Sequence, residues 1–159
     1  MNAPTISALR TLLVLLGAGG LVAQIVVIPL VAGEMAAQYP EVAGLQVPYT
    51  VAAISVIACL QVALAAIWML LSMVARAQMF RDAAQRWLEV IIGASAVATL
   101  VTVGTGFHLV FIASTGGPAA FLGLCAALVT GPAFVLLMVV MRGLLIEATA
   151  LRSEMAEVV

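Results

Sequence analysis

Residues 90–141 read VIIGASAVATLVTVGTGFHLVFIASTGGPAAFLGLCAALVTGPAFVLLMVVM and contain no Asp, Glu, Lys or Arg. This run is too long for one membrane crossing, because about 20 apolar residues already cover about 30 Å of hydrocarbon. The STGGP at 114–118 is a strong turn signal near its middle. The stretch therefore predicts two membrane-spanning helices, at about 88–113 and 119–142.

Two earlier apolar stretches, at about 9–33 and 47–75, predict two more spans. The whole chain is 65% hydrophobic and 8% charged, whereas soluble domains are about half apolar and about a quarter charged. This composition excludes a soluble domain and a disordered chain. We expect an all-α polytopic membrane protein in which residues 1–159 form a single four-helix domain.

The basic residues predict the orientation of these spans. All of them are arginines, and none lies in the connections after the first and third spans. The positive-inside rule then places both termini in the cytoplasm of a multi-pass plasma-membrane protein. With a net charge of −1, the chain has no basic surface for nucleic acid, so its expected partners are the lipid bilayer and other membrane proteins. The arginines are Arg10, Arg76, Arg81, Arg86, Arg142 and Arg152.

The segment after Arg142 has the pattern of an amphipathic helix. Apolar residues recur at spacings of three and four, at Leu144, Ala148, Leu151 and Met155, while acidic residues occupy the other side. We expect a cytoplasmic helix at 143–157 that extends the fourth span. An acidic polar face disfavours an anionic membrane surface, so this helix is expected to pack on its own bundle or on another subunit.

The connection between the second and third spans predicts a helix start at Asp82, because Gln85 follows it at capping-box spacing. Arg86 and Glu89 are three residues apart and can pair on one helix face. One interpretation is a cytoplasmic contact surface; the other is a set of charges that anchors the helices at the lipid headgroups. The candidate surface comprises Arg81, Asp82, Arg86, Glu147 and Arg152.

Two segments carry a family resemblance. RAQMFRDAAQRWLEVIIGA at 76–94 and MRGLLIEATALRSEMAEVV at 141–159, in a chain with four predicted helices, resemble the small bacterial membrane proteins of domain of unknown function 2975, in the form found in actinobacteria. The resemblance covers essentially the whole chain. It implies a four-helix plasma-membrane protein, and it implies no activity, cofactor or substrate.

Strongly polar residues are rare inside the predicted spans and are candidates for function by default. They are Gln24, Gln61 and His108, and Glu34 stands just beyond the first span. These four residues form a candidate polar patch toward the external side if the first and third helices are neighbours. His108 has three readings: an interfacial residue bonded to a neighbouring helix, a proton-responsive group, or a ligand of metal or haem.

The sequence offers little for catalysis or metal binding. Cys59 and Cys125 both lie in apolar runs, where thiols pack as small hydrophobes. No catalytic set or metal-binding spacing is present, so we expect a protein that is not an enzyme and has no cofactor. Pro29 and Pro132 fall inside spans and predict kinks.

These features favour a non-enzymatic protein that acts through helix contacts, as a homo-oligomer or as an accessory or regulatory subunit. Glycines inside the spans support this interpretation, because they permit close helix approach. The alternative is a pore-forming channel or small-solute permease lined by the polar patch. A third reading is haem or quinone binding.

Overall fold

The computed structural model describes the backbone of residues 3–75, 82–114 and 117–157, and the side chains of 6–40, 43–73, 85–114 and 117–148. Nearly every described residue is helical, and none is in a strand. Four helical stretches are long and apolar enough to cross a membrane. The predicted all-α, four-span class is confirmed. The stretches are Ile6–Gln38, Ala43–Met73, Gln85–Ile112 and Gly117–Ala148.

The first span is a continuous helix with a wider turn inside it. Helix α1 covers Ala3–Val22, a π-helical turn (π1) covers Ala23–Val27, and helix α2 covers Ile28–Gln38. Pro29 explains the wide turn, because its ring cannot donate to the carbonyl of Ile25 and crowds it. The helix passes Gly33, where the sequence predicted its end, and stops at Tyr39, because a residue before proline avoids the helical conformation.

A short connection leads from the first span into the second, and the third span follows along the chain. A 3₁₀ helix at Pro40–Leu45 leads directly into α3, Gln46–Ala75. The described part of α4 is Asp82–Phe107, and it continues through a second π-helical turn (π2), His108–Ile112. The chain then turns at Ser114, whose φ of 51° is the left-handed conformation that commonly ends a helix.

The fourth span belongs to one uninterrupted helix, α5, at Gly117–Glu157. It passes through Pro132 and continues beyond Arg142 without a break. This confirms the predicted C-terminal helix as an extension of the fourth span. At about 1.5 Å per residue, its 41 residues extend for about 60 Å, roughly twice the thickness of the hydrocarbon core.

Helix α3 is the centre of the arrangement. The first span packs against α3, α3 packs most extensively against α4, and α4 packs against α5. Neighbouring spans run antiparallel, so α1 begins and α5 ends at the same end of the bundle. We call this the termini end, and the end with residues 39–46, 113–114 and 117 the far end.

Glycines allow close packing at two of these interfaces. At Gly131 of α5, an added Cβ would lie 2.3 Å from Cγ2 of Thr99 on α4. At Gly20 of α1, it would lie 3.1 Å from Nε2 of Gln61 on α3. The α4–α5 contact therefore depends on the absence of a side chain at Gly131, whereas a Cβ at Gly20 would meet the end of a flexible glutamine side chain.

Few side chains are buried inside the bundle. Among the described residues, the buried ones are all apolar, and half of them belong to α3. Large apolar side chains instead cover the outside of all four spans, as expected where lipid replaces water. The buried residues are Leu13, Ala63, Ala66, Leu71, Ile91 and Leu124.

Candidate functional site

Two of the predicted polar residues lie in the two π-helical turns. Gln24 is in π1, and His108 is the first residue of π2. Turns of this type are rare, are found often at functional sites, and change which backbone carbonyls are bonded. In π2, the carbonyl of His108 accepts a hydrogen bond from the amide of Ala113 at 2.9 Å. Both turns lie on the far-end side of the bundle.

His108 bonds to a tyrosine on the second span. Its Nδ1 atom lies 2.8 Å from the hydroxyl of Tyr49, and the two rings meet edge to face with centroids 5.9 Å apart. The polar patch predicted from the sequence, Gln24, Gln61, His108 and Glu34, does not include Tyr49. No sequence pattern identifies Tyr49, because the pair depends on the packing of α3 against α4.

Gln24 also bonds to α3. Its Nε2 donates to the carbonyl of Ile54 at 3.2 Å, so π1 and π2 attach to the same helix from two different spans. These two bonds connect the first and third spans to α3, one from near the middle of the first span and one from near the far end of the third. Both bonds join one helix to another, so their role in this structure is to hold the helices together. A ligand would have to bind next to them.

Gln61 and Glu34 differ from these bonded residues. Nε2 of Gln61 is buried and has no hydrogen-bond partner among the residues described. Glu34 is exposed. No hydrogen bond or ion pair in the described part of the chain joins any two of Gln24, Gln61, His108 and Glu34. The described bonds do not join these four residues, and their grouping as one polar patch stays a prediction.

A cleft of about 720 Å³ lies at the far end, between the first and fourth spans. Its walls come from α2, the beginning of α3 and the beginning of α5, and Leu109 of π2 also contributes. The lining is mostly apolar and has no charged side chain. None of the four predicted patch residues lines it, although Tyr49, the partner of His108, does.

The polar residues of the cleft lie toward the far end of the bundle. Tyr39 follows the last residue of α2, and Gln46 is the first residue of α3. The hydroxyl of Thr50 donates within its own helix to the carbonyl of Gln46 at 2.7 Å. The side chains of Tyr39 and Gln46 make no hydrogen bond with any described residue, so both are available to a ligand.

The termini end has a different polar arrangement. Nη2 of Arg142 on α5 donates to Oε1 of Glu89 on α4 at 2.5 Å. The predicted pair of Arg86 with Glu89 is wrong, because the antiparallel packing of α4 and α5 brings Arg142 to the same carboxylate. The guanidinium of Arg10 stacks over the ring of Trp68, 5.6 Å from its centroid, which connects α1 with α3.

The predicted cytoplasmic surface is only partly described. Arg86 and Glu147 are exposed. Arg81 and the side chains of Asp82 and Arg152 lie outside the described residues. Cys59 and Cys125 are both free thiols. Within the described part of the chain, no group of three or more His, Cys, Asp or Glu residues is placed to hold a metal ion.

Comparison with known proteins gives one match. The family model described as "Protein of unknown function (DUF2975)" matches residues 30–159. No curated protein and no solved structure matches the chain.

Proposed function

The chain belongs to the DUF2975 family, and we propose that it is a non-enzymatic subunit of a membrane assembly. It acts through lateral helix contacts, first with copies of itself and otherwise with another membrane protein as an accessory or regulatory subunit. The fourth span supplies the contact surface. This reading makes the bacterial plasma membrane its site and the cytoplasm the location of both termini.

The observation that carries the proposal is the two-sided character of α5. Leu124 is buried and Gly131 closely approaches Thr99, so this side of the helix faces α4. Residues two positions earlier lie about 200° around the helix, on the opposite side. There Leu122, Val129 and Leu136 are 67%, 70% and 64% exposed.

These exposed residues form a stripe with heptad spacing. Leu122, Val129 and Leu136 follow one another at seven-residue intervals, and Cys125 lies between the first two on the same side. A seam of this type is the surface by which one apolar helix packs along another. Gly123 lies next to it, and a Cβ there would meet no atom within 4 Å, so a second helix can approach closely.

The length of α5 supports the same proposal. Lipid can cover the apolar side of a helix inside the bilayer, but α5 continues beyond the Glu89–Arg142 pair. Leu144, which follows that pair, is still 56% exposed. Apolar surface at this level is stabilised by a protein partner better than by water.

Cys125 provides a direct test of the contact. With Cys59 replaced by serine, Cys125 is the sole thiol of the chain. Mild oxidation in intact membranes is expected to give a disulfide-linked dimer. A matched variant has Cys59→Ser, Cys125→Ser and Leu124→Cys, which moves the thiol to the side covered by α4, and it should give none. If Cys125 reacts with a small thiol reagent but forms no adduct with any protein, the proposed interface is wrong.

A pore is the second candidate function, and Gln61 is the observation in its favour. A buried amide without a protein partner commonly bonds to water. A water molecule bound between the first and second spans would be one element of a solute path. Flux into proteoliposomes tests this proposal. Unchanged flux in the Gln61→Leu, His108→Ala variant would remove both residues from any such path.

A further inference from the structure

We propose that the far-end cleft between the first and fourth spans binds an uncharged, single-tailed amphiphile from the surrounding leaflet. The head of this ligand carries hydroxyl or carbonyl groups that form hydrogen bonds with the polar lining residues Tyr39, Gln46 and Tyr49. This binding site is separate from the seam on α5 and does not depend on assembly.

The size and shape of the cleft suit a lipid-like molecule. Its volume of about 720 Å³ lies within the range of about 300–1,000 Å³ typical of small-molecule sites. Along the first span the lining extends from Val27 to Tyr39, which corresponds to about 18 Å of helix. That length accommodates a substantial part of a hydrocarbon tail that lies along the helix.

The polarity of the cleft changes along this length. Val27, Ile28 and Ala53 line the part nearer the middle of the spans, whereas Tyr39 and Gln46 lie at the far end. A ligand with an apolar body and a polar end matches this order, its head placed at the membrane surface. The unbonded amide of Gln46 and the hydroxyl of Tyr39 offer both donors and acceptors to that head.

The Tyr49–His108 pair adds an adaptable hydrogen-bonding group to the wall. When Nδ1 of His108 is unprotonated, the Tyr49 hydroxyl donates to it and its oxygen remains an acceptor. When Nδ1 carries the proton, it donates to the Tyr49 oxygen, and the hydroxyl proton is free for another acceptor. Either tautomer leaves one hydrogen-bonding function of Tyr49 for a ligand in the cleft.

The charges around the cleft exclude an anionic head. No lining residue is charged, and the sequence from Glu34 to Gln46 contains no Lys or Arg. A phosphate group placed in the cleft would have no cationic side chain among the lining residues to pair with. The common anionic phospholipids are therefore poor ligands, although their tails surround the protein.

The site can be tested by photolabelling in lipid nanodiscs. The probe is a monoacylglycerol with a diazirine in its acyl chain, and the labelled residues are identified by mass spectrometry. We expect saturable labelling in α2 and at the beginning of α5. Unlabelled monoacylglycerol should compete with the probe. A lysophosphatidylglycerol with the same acyl chain as the monoacylglycerol should compete at least about tenfold more weakly. A naphthoquinone with a short isoprenoid tail tests ligands whose head carries carbonyl groups.

Paired variants separate this site from lipid contact in general. Ala120 lines the cleft and Ala126 of the same helix does not. Ala120→Leu fills part of the cleft and should abolish saturable labelling, while Ala126→Leu should leave it unchanged. Gln46→Leu and Tyr49→Phe should each weaken competition by about threefold to tenfold, the effect of one lost hydrogen bond.

Two results would overturn the proposal. One is labelling that rises in proportion to the probe without saturating, which would indicate bulk lipid in an open groove. The other is equal competition by the anionic and uncharged lipids with the same tail. Helix content and a single size-exclusion peak show that each variant is folded, so a loss of labelling in a folded Ala120→Leu variant reports on the cleft itself.

Discussion

Tyr49 and His108 join the second and third spans through one side-chain hydrogen bond. Such bonds between membrane helices contribute about 0.6 kcal/mol on average and up to about 1.7 kcal/mol. We expect Tyr49→Phe and His108→Leu to show a coupling in this range in a double-mutant cycle. Unfolding in mixed micelles measures it. Strict additivity of the two substitutions would mean that the bond is absent in the membrane.

Gln24 and Gln61 give a second prediction, because both are glutamines inside the spans and only Gln24 forms a hydrogen bond to a described residue. Gln24→Met removes a hydrogen bond to α3 and should lower the free energy of unfolding by about 0.5–1.5 kcal/mol. Gln61→Met removes a buried donor without a partner and should leave stability unchanged or raise it by up to about 1 kcal/mol. Equal losses in the two variants would show that Gln61 has a partner in the membrane, such as water or another chain.

At this scale the sequence identified the unusual residues but not their contacts. His108 and Gln24 stand out because polar groups are rare in apolar spans, and both make interhelical hydrogen bonds. Tyr49 and Ile54 do not stand out, because a tyrosine near a membrane surface and a backbone carbonyl are common in any span. The partner of a side chain depends on helix rotation, which the composition of a uniformly apolar helix does not specify.

The contact of α4 with α5 depends on Gly131. Because an added Cβ would lie 2.3 Å from Cγ2 of Thr99, Gly131→Ala should lower the free energy of unfolding by about 1–3 kcal/mol. Thr99→Ala should recover much of that loss in the double variant. Gly143→Ala on the same helix is the control, since its Cβ meets nothing within 4 Å. If both glycine variants behave alike, α5 does not pack on α4 in this register.

Helices were the part of the fold that the sequence predicted best. Charge-free runs of sufficient length identify four spans, and the STGGP turn separates the last two. The predicted end of the first span was less accurate. A glycine such as Gly33 does not by itself end a helix in lipid, whereas Pro40 ends this one because the residue before a proline avoids the helical conformation. The π-helical turns were not predicted. Pro29 marks the first of them as a place of irregular hydrogen bonding, and no comparable residue marks the second.

The orientation of the whole molecule is a further prediction. The described arginines, Arg10, Arg86, Arg142 and the backbone of Arg152, belong to the termini end, and no basic residue occurs in the sequence of the far-end connections. The positive-inside rule therefore places the termini end in the cytoplasm. A green fluorescent protein fused after Val159 should fluoresce in a bacterial host, and an alkaline phosphatase fused there should be inactive. Active phosphatase at this position would reverse the orientation and place the cleft in the inner leaflet.

The described spans bury few side chains against one another and expose large apolar side chains on every helix. Composition predicts this exposure, because a membrane protein needs no polar exterior. Composition does not distinguish a surface that faces lipid from one that faces another chain. The structure shows which part of α5 is open to either lipid or another chain, because it separates the side that α4 covers from the stripe at Leu122, Val129 and Leu136.

The mass of the protein in native lipid tests the central claim most directly. Discs excised from membranes by an amphipathic polymer keep the neighbours of the chain, and native mass spectrometry then weighs what they hold. We predict two or more copies of the 16.4 kDa chain, or one copy with another membrane protein, and loss of that assembly when Val129 is replaced by Arg on the exposed stripe. A single 16.4 kDa chain accompanied only by lipid, at every expression level, would contradict the account.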